Sequence, residues 1–357
     1  MSGKREMSML IVGDVFVLRD DPPSVFRHVQ ELMRSADFLL GNLEGSVCDT
    51  GKAVDKRGAE AWKADSRQLS AIEAAGFHAM NVANNHMMDF GPEAMLATVD
   101  NLDRIGIEHC GGGRNFDAAH APAIVERGGC KVAMLGYTCV FMDKWAARPD
   151  SPGLAVVGAR TSYEAPKRVF ETPGSPPIIH TWAIAEHKAQ LAKDISAARA
   201  RADIVICTFH WGVSSGFRHL TEYQVELGRF AIDSGADLVF GHHPHLLQGI
   251  EVHNGRAIFY SLGNFTFARH RPHKGHEYET GMVRCSIRDR KICAVDFLPA
   301  RCDESLEPRV LNIEEGRDVV ELVKARSADF GATFVAGEDC LQVVADSATG
   351  VERSKAA

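Results

Sequence analysis

Two histidines flank a proline at His243-Pro244-His245, one residue after the strand-like run Asp237-Leu238-Val239-Phe240-Gly241. Imidazoles at i and i+2 on a bend stiffened by proline can face one centre and bind a metal through neutral ring nitrogens. A histidine-rich surface turn reads the same in isolation; the strand and tight turn ahead of it favour the metal. A second cluster is Asn84-Asn85-His86, with Asp89 and Gly91 close behind. The Asn85 side-chain oxygen is a hard, neutral ligand, and His86 beside it is then placed to act on a substrate. Asp89 can orient that imidazole, as carboxylates behind functional histidines do. The same residues can also form an Asx turn capping the next helix, and both readings hold together. Asp14 after Gly13 and Glu44 after Gly41-Asn42 are carboxylates suited to a shared hard cation. His210-Trp211-Gly212 adds another imidazole, which by itself could equally be a packed core histidine.

These residues share a position in the pattern. Short apolar runs at 9–12, 38–40, 79–82, 204–209 and 238–240 read as strands, and each runs into one of the clusters. Helical spacing alternates with them at 24–35, 65–75, 92–104, 186–200 and 221–234. Asp65 is a candidate N-cap, Gly76 a stop, and Pro92 sits where a helix start tolerates it. Further strands are expected at 132–136 and 257–261, and a hairpin over 282–287 and 292–297. In an open α/β sheet the ligand crevice lies at the carboxyl ends of strands. Five strand ends carrying Asp14, Glu44, Asn85 and His86, His210, and His243 and His245 are therefore expected to converge on one rim.

The expected organisation is one large domain over 7–300, a C-terminal helical extension over 301–346 and a disordered tail over 347–357. The Pro-, Gly- and Arg-rich stretch 141–180 has weak periodicity and reads as an insertion or lid. His270, His273 and His276 read as a solvated basic loop that could help bind an anionic substrate near the rim. Gly111-Gly112-Gly113-Arg114 lacks the strand-to-helix setting of a phosphate loop, and no G-x-S-x-G motif occurs.

Of 357 residues, 45% are hydrophobic and 24% charged, with a formal net charge of -7. That composition supports a folded chain with a sizeable core and argues against nucleic acid as the main partner. No run approaches a bilayer span, so no membrane partner is expected, and the N-terminus does not read as a signal peptide. Nine cysteines without a C-x-x-C pair read as reduced thiols, which makes the cytoplasm the expected compartment. Oligomeric state is not legible.

Taken in order, Gly13-Asp14, Asn42-Leu43-Glu44, Ala83-Asn84-Asn85-His86 with Asp89 and Gly91, His210-Trp211-Gly212, Gly241 to His245 and Ser261-Leu262-Gly263-Asn264-Phe265 resemble the CapA (poly-gamma-glutamate capsule biosynthesis) family. The resemblance spans about residues 9–267 and implies a calcineurin-like metallophosphatase fold, a four-layer α/β/β/α sandwich. It also implies one or two divalent metal ions, with Mn, Mg, Zn, Fe or Ca as candidates. Asp14 and His245 would hold one, Glu44 would bridge, and Asn85, His210 and His243 would hold the other. His86, Asp89 and Asn42 are then left as the catalytic set. Two positions depart from the phosphatase pattern. Phe16 stands where Asp-x-His has its histidine, and Asn42 where Gly-Asp has its aspartate. Phosphatase activity is therefore not the expected outcome. The family's association with gamma-glutamyl polymers implies hydrolysis of a peptide or small-molecule amide substrate by a metal-activated water. Similarity to proteins of lasso-peptide clusters implies an alternative, inversion of an α-carbon by acid and base groups; a non-catalytic capsule-assembly role is a third.

Overall fold

A computed structural model describes residues 6–56, 59–214, 219–268, 278–302 and 304–345. The expected tail at 347–357 and the His270, His273 and His276 stretch lie outside the described residues.

The strand Met7–Phe16 is apolar on both faces, and both are covered. Leu10 and Val12 point into one core and Met9 and Ile11 into another. It lies inside a ten-stranded sheet, parallel to Phe38–Leu43, which continues in parallel to Ala79–Asn81 and Glu108–Cys110. On its other side it pairs antiparallel with Glu279–Arg288 over residues 7–12, then parallel with Asn264–Phe267 from Asp14 onward. A second, six-stranded sheet has Cys130–Thr138, Ile204–His210, Leu238–His242 and Arg256–Phe259 parallel at its centre.

Three apolar cores separate the layers. Met9, Ile11, Phe38 and Leu40 of the larger sheet meet Met134, Ile206, Leu238 and Phe240 of the smaller one. The far face of the larger sheet packs on the helices Leu69–Ala75 and Gly91–Arg104 through Ile72, Met95, Val99 and Leu102. The far face of the smaller sheet packs on Ala185–Arg199 and Glu222–Asp233 through Leu191, Ile195, Leu227 and Ala231. The order is helix, sheet, sheet, helix: the expected four-layer α/β/β/α sandwich.

Local chemistry sets the helix limits. Asp65 accepts the Arg67 amide at 3.0 Å, and Gly76 takes the left-handed conformation (φ 82°) at the stop. Thr221 and Gln224 form a capping box ahead of Glu222–Asp233.

Three stretches differ from expectation. Residues 24–35 split into a 3-10 turn, Pro22–Phe26, and a short helix, Gln30–Ser35. Residues 301–346 are not a helical extension. The helix Arg317–Ser327 is joined there by Pro308–Val310, Ala332–Ala336 and Leu341–Ala345, which add to the larger sheet. The helix buries Val319, Val320 and Val323 in the core between the sheets, so this stretch completes the sandwich. Within 141–180, Ala159–Glu164 pairs with Ile178–Ala183 as a hairpin. His180 of that hairpin lies between Glu164 and Glu222, at 3.0 and 3.3 Å.

Candidate metal centre

Asp14 sits where Met7–Phe16 changes partners, with register shifts on both of its flanking pairings. Gly13 makes this possible: a Cβ there would lie 2.0 Å from the Gly263 carbonyl oxygen, and the Asp14 amide donates to that oxygen at 3.0 Å. The strand continues two residues past Asp14, so the carboxylate projects from a bulged interior position and not from a strand end. His243 and His245 both hold positive φ, 92° and 57°. Such backbone in non-glycine residues is strained, and surrounding structure must over-determine it.

The side chains meet at one point. One ligand atom from each of Asp14, Glu44 and His210 falls within 4.8 Å of the others, and all three residues are fully buried. His210 Nε2 lies 2.7 Å from Asn85 Oδ1, 3.1 Å from His243 Nδ1 and 3.7 Å from Glu44 Oε1. His245 Nδ1 is 3.7 Å from Asp14 Oδ2, and its Nε2 is 4.0 Å from Glu44 Oε1. Among the described residues, neither oxygen of Glu44 has a hydrogen-bond donor. An ionised carboxylate buried without donors is costly, and a cation among these oxygens and nitrogens removes that cost. The donor set fits a divalent metal: Asp14, Glu44 and His210 can hold one.

The electrostatics agree. Burial, reinforced by the nearby Asp14 charge, drives the Glu44 carboxyl well above its ordinary range. Burial acts on Asp14 in the same sense, but His242, His245 and the Asn42 amide outweigh it and hold the carboxyl low. Burial and neighbouring imidazoles push His210 well down, and burial with the His245 charge takes His243 to about 3. Both rings are therefore neutral, the form that binds metal.

Asn42, expected as a catalytic group, is buried beneath Asp14 with both polar ends used. Its amide donates to Asp14 Oδ1 at 2.7 Å and its oxygen accepts from Asn81 at 2.8 Å. This geometry makes it a positioning residue for Asp14. Asn84 ties the Glu44 turn to the next cluster: its oxygen accepts from the Gly45 and His86 amides, and its amide donates to the Leu43 carbonyl. Beside the centre, His86 Nδ1 lies 2.7 Å from Asp89 Oδ2, and the Trp62 ring stacks on His86 at 3.7 Å. Burial lowers the His86 pKa, against the pull of Asp89. Phe16 is fully buried against Trp62 and Phe267, so an apolar ring occupies the place expected to have lost a ligand.

Four residues escaped the sequence reading. His242 Nδ1 lies 3.1 Å from Asp14 Oδ1, and Asn264 Oδ1 lies 2.9 Å from His245 Nδ1. Lys56 and Trp62 approach Asp89 from the 48–62 loop. Their signals were at hand for His242 and Asn264, which stand inside motifs already singled out; a lysine in a polar loop gives none.

Residues 8–269 match the family described as bacterial capsule synthesis protein PGA_cap. The chain belongs to this family. It is 26% identical over 361 residues to the capsule biosynthesis protein CapA of Bacillus anthracis, covering 98% of this chain and 80% of the relative. It is 30% identical over 272 residues to the PGA biosynthesis protein CapA of Bacillus subtilis, covering 73% of this chain and 63% of the relative's length. A probable polyglutamine synthesis accessory protein of Mycobacterium tuberculosis is 25% identical over 88% of this chain and 78% of its own. Among solved structures, a calcineurin-like phosphoesterase of Bacillus subtilis superposes with a TM-score of 0.42 at 13% identity, over 90% of this chain and 93% of that one. Among the described residues, no helix is long and apolar enough to cross a membrane.

Proposed function

We propose that this family member is a metal-dependent hydrolase acting on a peptide or gamma-glutamyl amide bond in the cytoplasm. The observation that carries the reading is Glu44, fully buried with two oxygens and no donor among the described residues, facing neutral His210 and ionised Asp14. Asp14, Glu44, Asn85, His210, His243 and His245 would hold one or two divalent ions. A divalent ion there supplies Lewis acidity that polarises an amide carbonyl and acidifies water. His86, with Nδ1 engaged by Asp89, holds or moves a proton at Nε2. Asn42 and His242 fix the Asp14 carboxylate, and Asn264 fixes the His245 ring. The substrate class is supported by the relatives named for PGA biosynthesis and polyglutamine synthesis. Cysteines that stand as unpaired thiols, such as Cys207 and Cys285, support a reducing compartment.

The test is turnover of γ-glutamyl-p-nitroanilide and poly-γ-glutamate oligomers by manganese-loaded protein in deuterated water. Shorter products without deuterium at the α-carbon are expected. Deuterium at that carbon with chain length unchanged would replace hydrolysis by inversion, and no change in either substrate would remove this substrate class.

A further inference from the structure

Lys56 stands in an irregular loop, yet its side chain is only 6% exposed. Its Nζ lies 2.6 Å from Asp89 Oδ1, as an ion pair more than an aligned hydrogen bond, and 3.4 Å from the carbonyls of Glu60 and Asn85. It is also 3.3 Å from His86 Nδ1 and 5.8 Å from the centroid of the Trp145 ring. The loop is tied to the same residue at two further points. The Val54 amide donates to the Asp89 carbonyl at 2.8 Å, and the Trp62 amide donates to Asp89 Oδ2, also at 2.8 Å.

Asp89 thus faces an ammonium, a backbone N–H and an imidazole nitrogen. A carboxylate meeting two such donors acts as an acceptor on every side. The 2.7 Å contact to His86 Nδ1 then requires the ring proton to be on Nδ1, since two acceptors do not approach so closely. Lys56, although near Nδ1, cannot be donating to it: that position is already a donor. Its influence on the ring passes through Asp89.

We propose that Lys56 is a positioning residue for His86: its ion pair fixes Asp89 so that His86 is held as the Nδ1–H tautomer, with Nε2 left as the acceptor. That Nε2 serves a reaction rests on the hydrolase reading; the tautomer does not.

The test is a long-range ¹H–¹⁵N spectrum of histidine-labelled, metal-free protein, with His86 assigned through His86→Gln. Wild type is expected to show a protonated Nδ1 and a bare Nε2 at His86. Lys56→Met is expected to lose this single-tautomer pattern and to lower kcat on γ-glutamyl-p-nitroanilide by about 10–100-fold with little change in KM, the usual effect of removing a partner behind a functional histidine. Lys56→Arg keeps the charge and is expected to keep the Nδ1–H pattern, which decides the matter if Lys56→Met does not fold. A proton on Nε2 in wild type, or an unchanged spectrum and kcat in Lys56→Met, would overturn the proposal. If wild type cleaves no amide, the hydrolase reading fails while the spectrum still judges the tautomer.

Discussion

Two buried carboxylates, Asp89 and Glu44, stand on either side of His86 in the sequence, and they are treated in opposite ways. Asp89 pairs with Lys56 and accepts from Trp62 and His86, so its burial is compensated within the chain. Glu44 is equally buried, and among the described residues neither of its oxygens has a hydrogen-bond partner; its neighbours are the Asp14 carboxylate and the His210 and His245 rings. The difference separates positioning from binding. Where partners are complete, the structure holds the His86 ring in one orientation. Where they are missing among ligand-type atoms, it holds a place for a cation.

The comparison can be broken at several points. The largest expected effect is on turnover. His86→Ala should lower it by about 10²–10⁴-fold, the usual contribution of a general acid or base, while metal content measured by elemental analysis stays at the wild-type level. Loss of metal in that variant would move His86 to the binding side of the comparison.

Next comes the backbone that carries Asp14. Gly13→Ala puts a methyl 2.0 Å from the Gly263 carbonyl oxygen, backbone against backbone. Overpacking of this kind is expected to destabilise the protein by about 3 kcal/mol, read by denaturant unfolding, and to lower metal affinity. Wild-type stability in Gly13→Ala would mean the two strands separate easily, and Asp14 would not be held as described.

A smaller effect distinguishes the carboxylates by pH. Glu44 is raised above its unfolded value near 4.5, so its stabilising share is full below that pH and is lost as pH rises through its folded value. With chelator present, Glu44→Gln should therefore be more stable than wild type at pH 8, by about 1–3 kcal/mol for relief of an unpartnered buried group. The gap should close near pH 4. His243 acts in the opposite sense. Depressed to about 3, it contributes fully above 6.5 and loses that contribution as pH falls towards 3. A Glu44→Gln variant less stable than wild type at pH 8 with chelator would show that the carboxylate is satisfied without a cation.

Much of this was legible in the sequence because metal-type residues at strand ends are a strong periodic signal. Asp14, Glu44, Asn85, His210, His243 and His245 were all singled out that way, and the structure brings them together. The helix Gly91–Arg104 was bounded to within a residue by its Gly-Pro start. What escaped depended on partners far away in the chain. Ala332–Ala336 and Leu341–Ala345 are short, and the first is half-exposed, so their alternation is weak until they pair with each other and the second meets Lys291–Cys302. Asn42 looked chemical because it replaces an expected ligand; only the Asp14 and Asn81 contacts show it buried and spent. Lys56 gave no signal because its partner, Asp89, lies 33 positions on along the chain.

The central claim is that Glu44 and its neighbours bind a divalent cation, and metal titration tests it most directly. Metal-free wild type, Glu44→Gln, His243→Ala and His86→Ala would each be titrated with manganese by calorimetry at neutral pH. Wild type and His86→Ala should bind with similar affinity, and Glu44→Gln and His243→Ala should bind far more weakly or not at all. Equal binding in all four proteins, or none in wild type with manganese, zinc or iron, would contradict the claim.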